Sequence, residues 1–308
     1  MADCSDEFLE FNTAISLNKT NKLQLRNARK AIMKKTEIYF DQNSLPNIEF
    51  KTQGSFSMDT IIKPLRGDYD IDIGVYLKDQ SKFRNDWPKP ETISKWLINA
   101  LHNHTSISPI NKRACIRIQY KPINYIKDIS YHIDLPVYIE YINFWGNKKT
   151  RIGLIGEEQW EQKSNPVGFT KWFMEKCKKN ESDKNQLIRI VKYLKAWKDF
   201  VGKESKFPSG MALTILLANN YFPHTREDIA FQETIRRSYN ALSWLFGLEI
   251  YSPVETFNDV ASKLNSKQKK YFKEKFEQLV DDAKDAIKEK DKNVSIQIWR
   301  NQFGERIK

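Results

Sequence analysis

The sequence predicts an α+β fold, with a mixed α/β first half over residues 1–155 and an all-helical second half over residues 156–308. Three observations carry that prediction. Short segments of the first half alternate apolar and polar residues, the period-two pattern of strands with two different faces. From Asn165 onwards the apolar residues recur at helical spacing instead. The change of period falls near Gly153. Two such halves are expected to pack around a shared cleft, a frequent place for a ligand.

Taken in order, residues from about Asp6 to Phe40 read as one long helix, with Leu17, Leu25, Ala28, Ile32 and Phe40 at roughly helical spacing and Lys and Arg between them. The turn cluster DQNSLPN, ending after Pro46, breaks it. IEFKTQGSFSMDT reads as a short strand running into a Gly-Ser turn, and GDYDIDIGVYL as a strand whose apolar and acidic residues alternate. Trp87 to His102 reads as a helix after Pro88 and Pro90. ACIRIQY and YHIDLPVYIEY are two further strands, joined by the turn-prone KPINYIKD. In the second half, PVGFTKWFMEKCKK, NQLIRIVKYLKAWKDF and PSGMALTILLANNYF are helices, followed by two more around Asp228 to Leu245 and Phe257 to Lys290. Trp96, Trp172, Trp197, Trp244 and Trp299 read as core anchors. The sequence has no internal repeat.

Composition narrows the function. With 40% hydrophobic and 29% charged residues the 308-residue chain is a folded protein with a sizeable core, not a disordered one. The longest apolar stretches, such as Leu213 to Ala218, are too short for a bilayer, so no membrane partner is expected. The first residues, MADCSDEFLEF, carry acids where a secretory signal needs lysines and an apolar run. Cys4, Cys115 and Cys177 are too dispersed for a disulfide framework or a zinc clip, which fits a reducing cytoplasm. The net charge of +12 calls for an anionic partner: nucleic acid, nucleotide phosphates or an acidic surface.

The chemistry starts with Gln53-Gly54-Ser55, followed by Asp70-Ile71-Asp72. Residues two apart on a strand share a face, so Asp70 and Asp72 project together while Ile71 and Ile73 point to the buried side. A third acid, Asp134, sits in an apolar strand between Ile133 and Leu135. Acids in such strands are rarely buried unpaired. Two carboxylates about 4 Å apart repel by roughly 4 kcal/mol at an effective dielectric near 20. Three that converge protonate in part unless cations neutralise them. Mg²⁺ is the natural hard cation for carboxylate and phosphate oxygens, with Mn²⁺ a substitute, and a pair of such ions is the usual clamp for in-line displacement at phosphorus.

At these residues the sequence resembles a known family. The run GSFSMDTIIKPLRGDYDIDIGVYL is similar to the active-site segment of the DNA polymerase β nucleotidyltransferase superfamily, and more narrowly to that of the bacterial cGAS/DncV-like nucleotidyltransferases. His132-Ile133-Asp134-Leu135-Pro136 resembles the family's third-acid strand, and SNPVGFTKWF, RIVKYLKAWKDF and FPSGMALTILLANNYF resemble segments of its helical half. The resemblance implies a polymerase-β-like sheet with a long N-terminal helix, packed on a C-terminal helical bundle. It implies a cyclic oligonucleotide synthase, in the first place a cyclic dinucleotide synthase, that makes a second messenger for antiphage defence. Its substrates would be nucleoside triphosphates, its partner a downstream effector that senses the cyclic nucleotide, and its state a monomer.

Residue by residue, the resemblance implies that Asp70, Asp72 and Asp134 are catalytic and hold two Mg²⁺ ions. Gln53, Gly54 and Ser55 would bind the nucleotide, Gly54 by letting backbone approach the phosphates and Ser55 by donating to them. Lys195 would contact the triphosphate; the competing reading is a solvated helix lysine. Ser209 would line the phosphate or base pocket, and it also reads as a plain helix cap. The family's animal members follow this serine with an aromatic that stacks on a base, whereas Gly210 follows it here, so stacking must come from elsewhere. Asn165 reads either as a helix cap or as a base reader, whose carboxamide matches the N3–H and O4 edge of uracil and leans towards pyrimidine-containing products. His132 reads as structural. The dispersed cysteines predict no zinc clip and no DNA activator.

Two other functions compete. A template-independent RNA or tRNA nucleotidyltransferase would use the positive charge to hold RNA, but the E-D-x-x-R motif of tRNA-tailing enzymes is missing from the second half. A non-catalytic nucleic-acid-binding module would have no need of an intact Asp70, Asp72 and Asp134 set.

Overall fold

The computed structural model describes residues 1–65, 68–78, 80, 83, 86–121, 130–154, 156, 160, 164–242, 248–255 and 257–308. The chain forms two compact units. One comprises Asn18–Ser57 and Gly67–Thr170, the other Met1–Leu17, Met58–Arg66 and Lys171–Lys308.

The first unit is a helix-backed sheet. Its long helix α2 runs over Lys19–Gln42, and its strands are β1 (Ile48–Gln53), β2 (Tyr69–Leu77), β3 (Ile110–Asn111), β4 (Ile116–Tyr120), β5 (Tyr131–Leu135), β6 (Val137–Ile142) and β7 (Lys148–Ile152). A one-turn helix α3 (Gly54–Ser57) follows β1, and α4 spans Pro90–Ala100. β2 is central. β1 lies antiparallel along one edge of it, and β5 and then β6 run parallel to it along the other. β4 pairs antiparallel with β5, β3 with β4, and β7 with β6. β5 and β6 are two lengths of one course, interrupted at Pro136, whose carbonyl still accepts from the Val75 N–H. The apolar face of the sheet, with Ile71, Ile73, Val75, Ile116, Ile118, Ile133 and Leu135, is buried, as are Leu25, Ala28, Ile32 and Phe40 on α2 and Ile93 and Leu97 on α4.

The second unit is helical: α1 (Ser5–Ile15), α6 (Gln186–Val201), α7 (Gly210–Asn220), α8 (Glu227–Asn240), α9 (Ser266–Lys288), α10 (Lys292–Phe303) and the end of α5 (Pro166–Lys178). Phe8, Phe11, Tyr193, Phe231, Trp299 and Phe303 form its aromatic core. No helix among the described residues is long and apolar enough to cross a membrane.

Several elements differ from expectation. The single helix expected from about Asp6 to Phe40 is two helices. Ser16 turns extended, and Asn18 caps the new start by accepting from the Asn21 N–H at 2.7 Å. The last expected helix starts late, at Ser266, where Asn265 and Gln268 make a capping box, and α10 follows it separately. The edge strand β7 was not anticipated, since KKTRI lacks the apolar alternation of the central strands. KPINYIKD from Pro122 on and Trp244 lie outside the described residues. Trp197 and Trp299 are fully buried, as expected of core anchors.

Candidate active site

The strand register builds the site. Gln53 on β1 faces Asp72 on β2, Asp72 faces Asp134 on β5, and Asp134 faces Arg117 on β4. Two residues back, Asp70 faces His132, which faces Gln119. Residues two apart share a face, so Asp70, Asp72, His132, Asp134 and Arg117 project together, opposite the buried isoleucines. The three acids singled out in the sequence are thus brought together by two parallel strands.

Arg117 holds Asp134 with both arms of a fork: Nε donates to Oδ1 at 2.8 Å and Nη2 to Oδ2 at 2.7 Å. His132 is buried and Asp70 is open to solvent; Nε2 lies 3.1 Å from Asp70 Oδ1, and Nδ1 lies 4.0 Å from Asp68 Oδ2. Asp70, His132 and Asp134 each offer a ligand atom, all within 4.8 Å of one another. Burial raises the Asp72 pKa to about 7, with the charges of Asp70 and Asp134 adding to the rise, against His132 and Arg117. A carboxylate held against its own charge, beside further acids, fits a divalent cation. Asp70, Asp72, Asp134 and His132 are the residues that could hold one. Cys115, beside Asp134, is no nucleophile: burial and that carboxylate push its thiol up to about 12.

Gly54 closes the row. Its φ is +68°, and a Cβ there would lie 2.3 Å from Asp72 Oδ2, so only glycine brings the backbone this close to the acid. Ser55 follows in α3, and Ser57 Oγ donates to the Gly54 carbonyl at 2.9 Å, steadying the turn. Gln53 is buried. Its Nε2 donates to Tyr138 Oη at 2.9 Å and its Oε1 accepts from Tyr76 Oη at 3.4 Å. Asn165 caps α5, its Oδ1 accepting from the Gly168 N–H at 2.9 Å.

Lys195 and Ser209 belong to the helical unit. Lys195 Nζ donates to the carbonyl and the hydroxyl of Thr60, each at 3.0 Å. Burial, then Lys198 and Lys192, lowers its pKa to about 7. Ser209 caps α7, its Oγ accepting from the Ala212 N–H at 3.2 Å. A Cβ on Gly210 would lie 3.3 Å from Lys195 Cε, so the lysine and the start of α7 are close neighbours.

Sequence reasoning missed Arg117 and gave His132 only a structural part. Arg117 lies on the period-two face of its strand with Cys115 and Gln119, but only the strand order shows what that face meets.

Residues 48–138 match the family described as Cyclic GMP-AMP synthase DncV-like, nucleotidyltransferase domain. The matched stretch holds Gln53, Gly54, Ser55, Asp70, Asp72 and Asp134; Asn165, Lys195 and Ser209 lie beyond it. The chain is 29% identical to a Cyclic GMP-AMP synthase of Escherichia albertii, over 74% of this chain and 51% of that protein. It is 29% identical to a Cyclic AMP-AMP-AMP synthase of an Acinetobacter strain, over 47% of this chain and 43% of that one. It therefore spans about half the length of the curated relatives it matches. Among solved structures, GTP-bound Vibrio cholerae DncV superposes with a TM-score of 0.78 at 18% identity, covering 99% of this chain and 96% of that one. Escherichia coli DncV bound to 3′-deoxy GTP gives 0.69 at 19% identity, covering 95% and 93%. The fold is that of DncV.

Proposed function

From a chain that carries a cGAS/DncV-like nucleotidyltransferase domain, we propose a cyclic oligonucleotide synthase that joins nucleoside triphosphates and closes the product into a ring. The observation that carries the reading is the direct pairing of Asp72 with Asp134 across β2 and β5, with Asp70 on the same face. Divalent cations, when bound there, supply the charge that aligns a triphosphate and acidifies an acceptor hydroxyl.

The side chains do the rest by position and charge. Asp70 and Asp72 face the donor phosphates; burial and the neighbouring acids raise the Asp72 pKa to about 7, and a cation held there would favour its ionised form. Asp134, fixed by Arg117, faces the acceptor hydroxyl. The backbone at Gly54 admits phosphate close to Asp72, and Ser55 donates to the phosphate oxygens. The acceptor oxygen attacks the α-phosphorus in line, its proton passes to water, the bond to the β-phosphate oxygen breaks and pyrophosphate departs. The same displacement within the linear product closes the ring.

Lys195 is a further triphosphate contact in this reading and Ser209 lines the phosphate or base pocket, with Gln53 supporting the row beside Gly54. Asn165 is the base reader, with a lean towards a pyrimidine-containing cyclic dinucleotide. Mg²⁺ is the cation in this reading, with Mn²⁺ as a substitute. The product is a second messenger in antiphage defence, made in the cytoplasm and sensed by a downstream effector.

The test is incubation of the purified protein with Mg²⁺ or Mn²⁺ and the four nucleoside triphosphates, followed by phosphatase. A ring has no terminal phosphate, so a phosphatase-resistant small product is expected. Nucleotide addition to RNA alone would point to an RNA nucleotidyltransferase instead, and no turnover in any combination to a binding module.

A further inference from the structure

We infer that His132 is a direct metal ligand, so that the centre is a mixed nitrogen and oxygen site that selects Mn²⁺ over Mg²⁺. The inference rests on the nucleotidyltransferase reading and adds a donor that three carboxylates do not supply. His132 is only 9% exposed. Its Nε2 makes no hydrogen bond among the described residues, although Asp70 Oδ1 is 3.1 Å away: the two atoms are close but not aligned for one. A buried ring nitrogen without a partner costs free energy unless something else meets it. This one shares a face with Asp70 and Asp134, and the three side chains offer ligand atoms within 4.8 Å of one another, close enough for one ion to reach all three.

Two further features fit a ligand rather than a spacer. The register puts His132 on β5 directly opposite Asp70 and two residues before Asp134, on the face that both acids share. On the far side of the ring, Asp68 Oδ2 lies 4.0 Å from Nδ1, a further carboxylate beside the imidazole. Mg²⁺ demands oxygen donors in near-ideal octahedral geometry and gives up water reluctantly. Mn²⁺ takes carboxylates equally well and, as the softer ion, accepts an imidazole nitrogen more readily than Mg²⁺ does.

The test reads the metal itself. The full chain is loaded with one equivalent of Mn²⁺, without nucleotide, and examined by pulsed electron paramagnetic resonance for a directly bound ¹⁴N. The wild type shows that coupling; His132→Asn loses it, and the exposed His102→Asn control keeps it. Loss of an orienting neighbour already weakens metal sites about 10- to 100-fold, so His132→Asn weakens Mn²⁺ binding by at least about tenfold. Its Mg²⁺ affinity changes far less. Mn²⁺ bound without a nitrogen coupling, or with one that survives His132→Asn, overturns the inference and leaves the nucleotidyltransferase reading standing. No Mn²⁺ binding by folded wild type also overturns the inference, whereas the nucleotidyltransferase reading stands or falls with the phosphatase-resistant product. Should His132→Asn fail to fold, the wild-type spectrum with the His102→Asn control decides.

Discussion

Arg117 and Asp134 face each other across β4 and β5, and the guanidinium takes both carboxylate oxygens, at 2.8 and 2.7 Å. The third acid is therefore held in one orientation before any ligand arrives. Hydrogen bonds to a charged group contribute about 1.5–3 kcal/mol, so Arg117→Ala is expected to lower kcat about 10- to 100-fold. Arg117→Lys restores only part of this, because an ammonium cannot grip both oxygens. An unchanged kcat in Arg117→Ala removes the arginine from the account.

Asp72→Asn and Asp134→Asn keep the shape of the site and remove its charge. Both are expected to lower synthesis by about 100- to 1000-fold or more, with circular dichroism unchanged. Near-normal turnover in either variant contradicts the roles given to these acids.

Gly54→Ala places a methyl 2.3 Å from Asp72 Oδ2, at a φ of +68° that alanine tolerates poorly. The variant is expected to lose most of its turnover while its melting temperature falls only modestly, because the strain is confined to one turn. A variant with wild-type turnover shows that the close approach of backbone to acid has no catalytic part.

Asp72 makes metal-free stability depend on pH. Its folded pKa of about 7 stands above the ordinary 3.8. A group raised in this way contributes stability that is present below the lower value and lost as pH rises through the upper one. In metal-free protein, the gain in melting temperature of Asp72→Asn over wild type should grow from about pH 4 to about pH 7 and then level off. A difference that is flat across this window contradicts the environment described for Asp72.

Lys195→Ala tests the nucleotide contact proposed in the helical unit. Loss of one charged hydrogen bond to a triphosphate raises KM about 10- to 100-fold, with a smaller change in kcat. An unaltered KM leaves Lys195 as a structural partner of Thr60.

The acids were legible in the sequence because strand alternation is local: Asp70 and Asp72 share a face whatever else the chain does, and Asp134 stands out among apolar neighbours. Arg117 was not, since its partner depends on β4 lying against β5, a pairing of strands far apart in the chain. His132 looked like a structural residue for the same reason, its opposite number being Asp70 on β2. The break between α1 and α2 hangs on one cap, Asn18, inside a stretch whose periodicity runs on without a strong stop signal. In the same way, the lysine-rich edge strand β7 carries little apolar pattern because only part of it is covered.

The most direct measurement is anomalous X-ray diffraction at the manganese edge from crystals grown with Mn²⁺ and a non-hydrolysable nucleoside triphosphate. The account predicts manganese peaks within bonding distance of Asp70, Asp72 and Asp134, with the triphosphate oxygens on the same ions. Manganese bound elsewhere, with Asp134 still held only by Arg117, would contradict it.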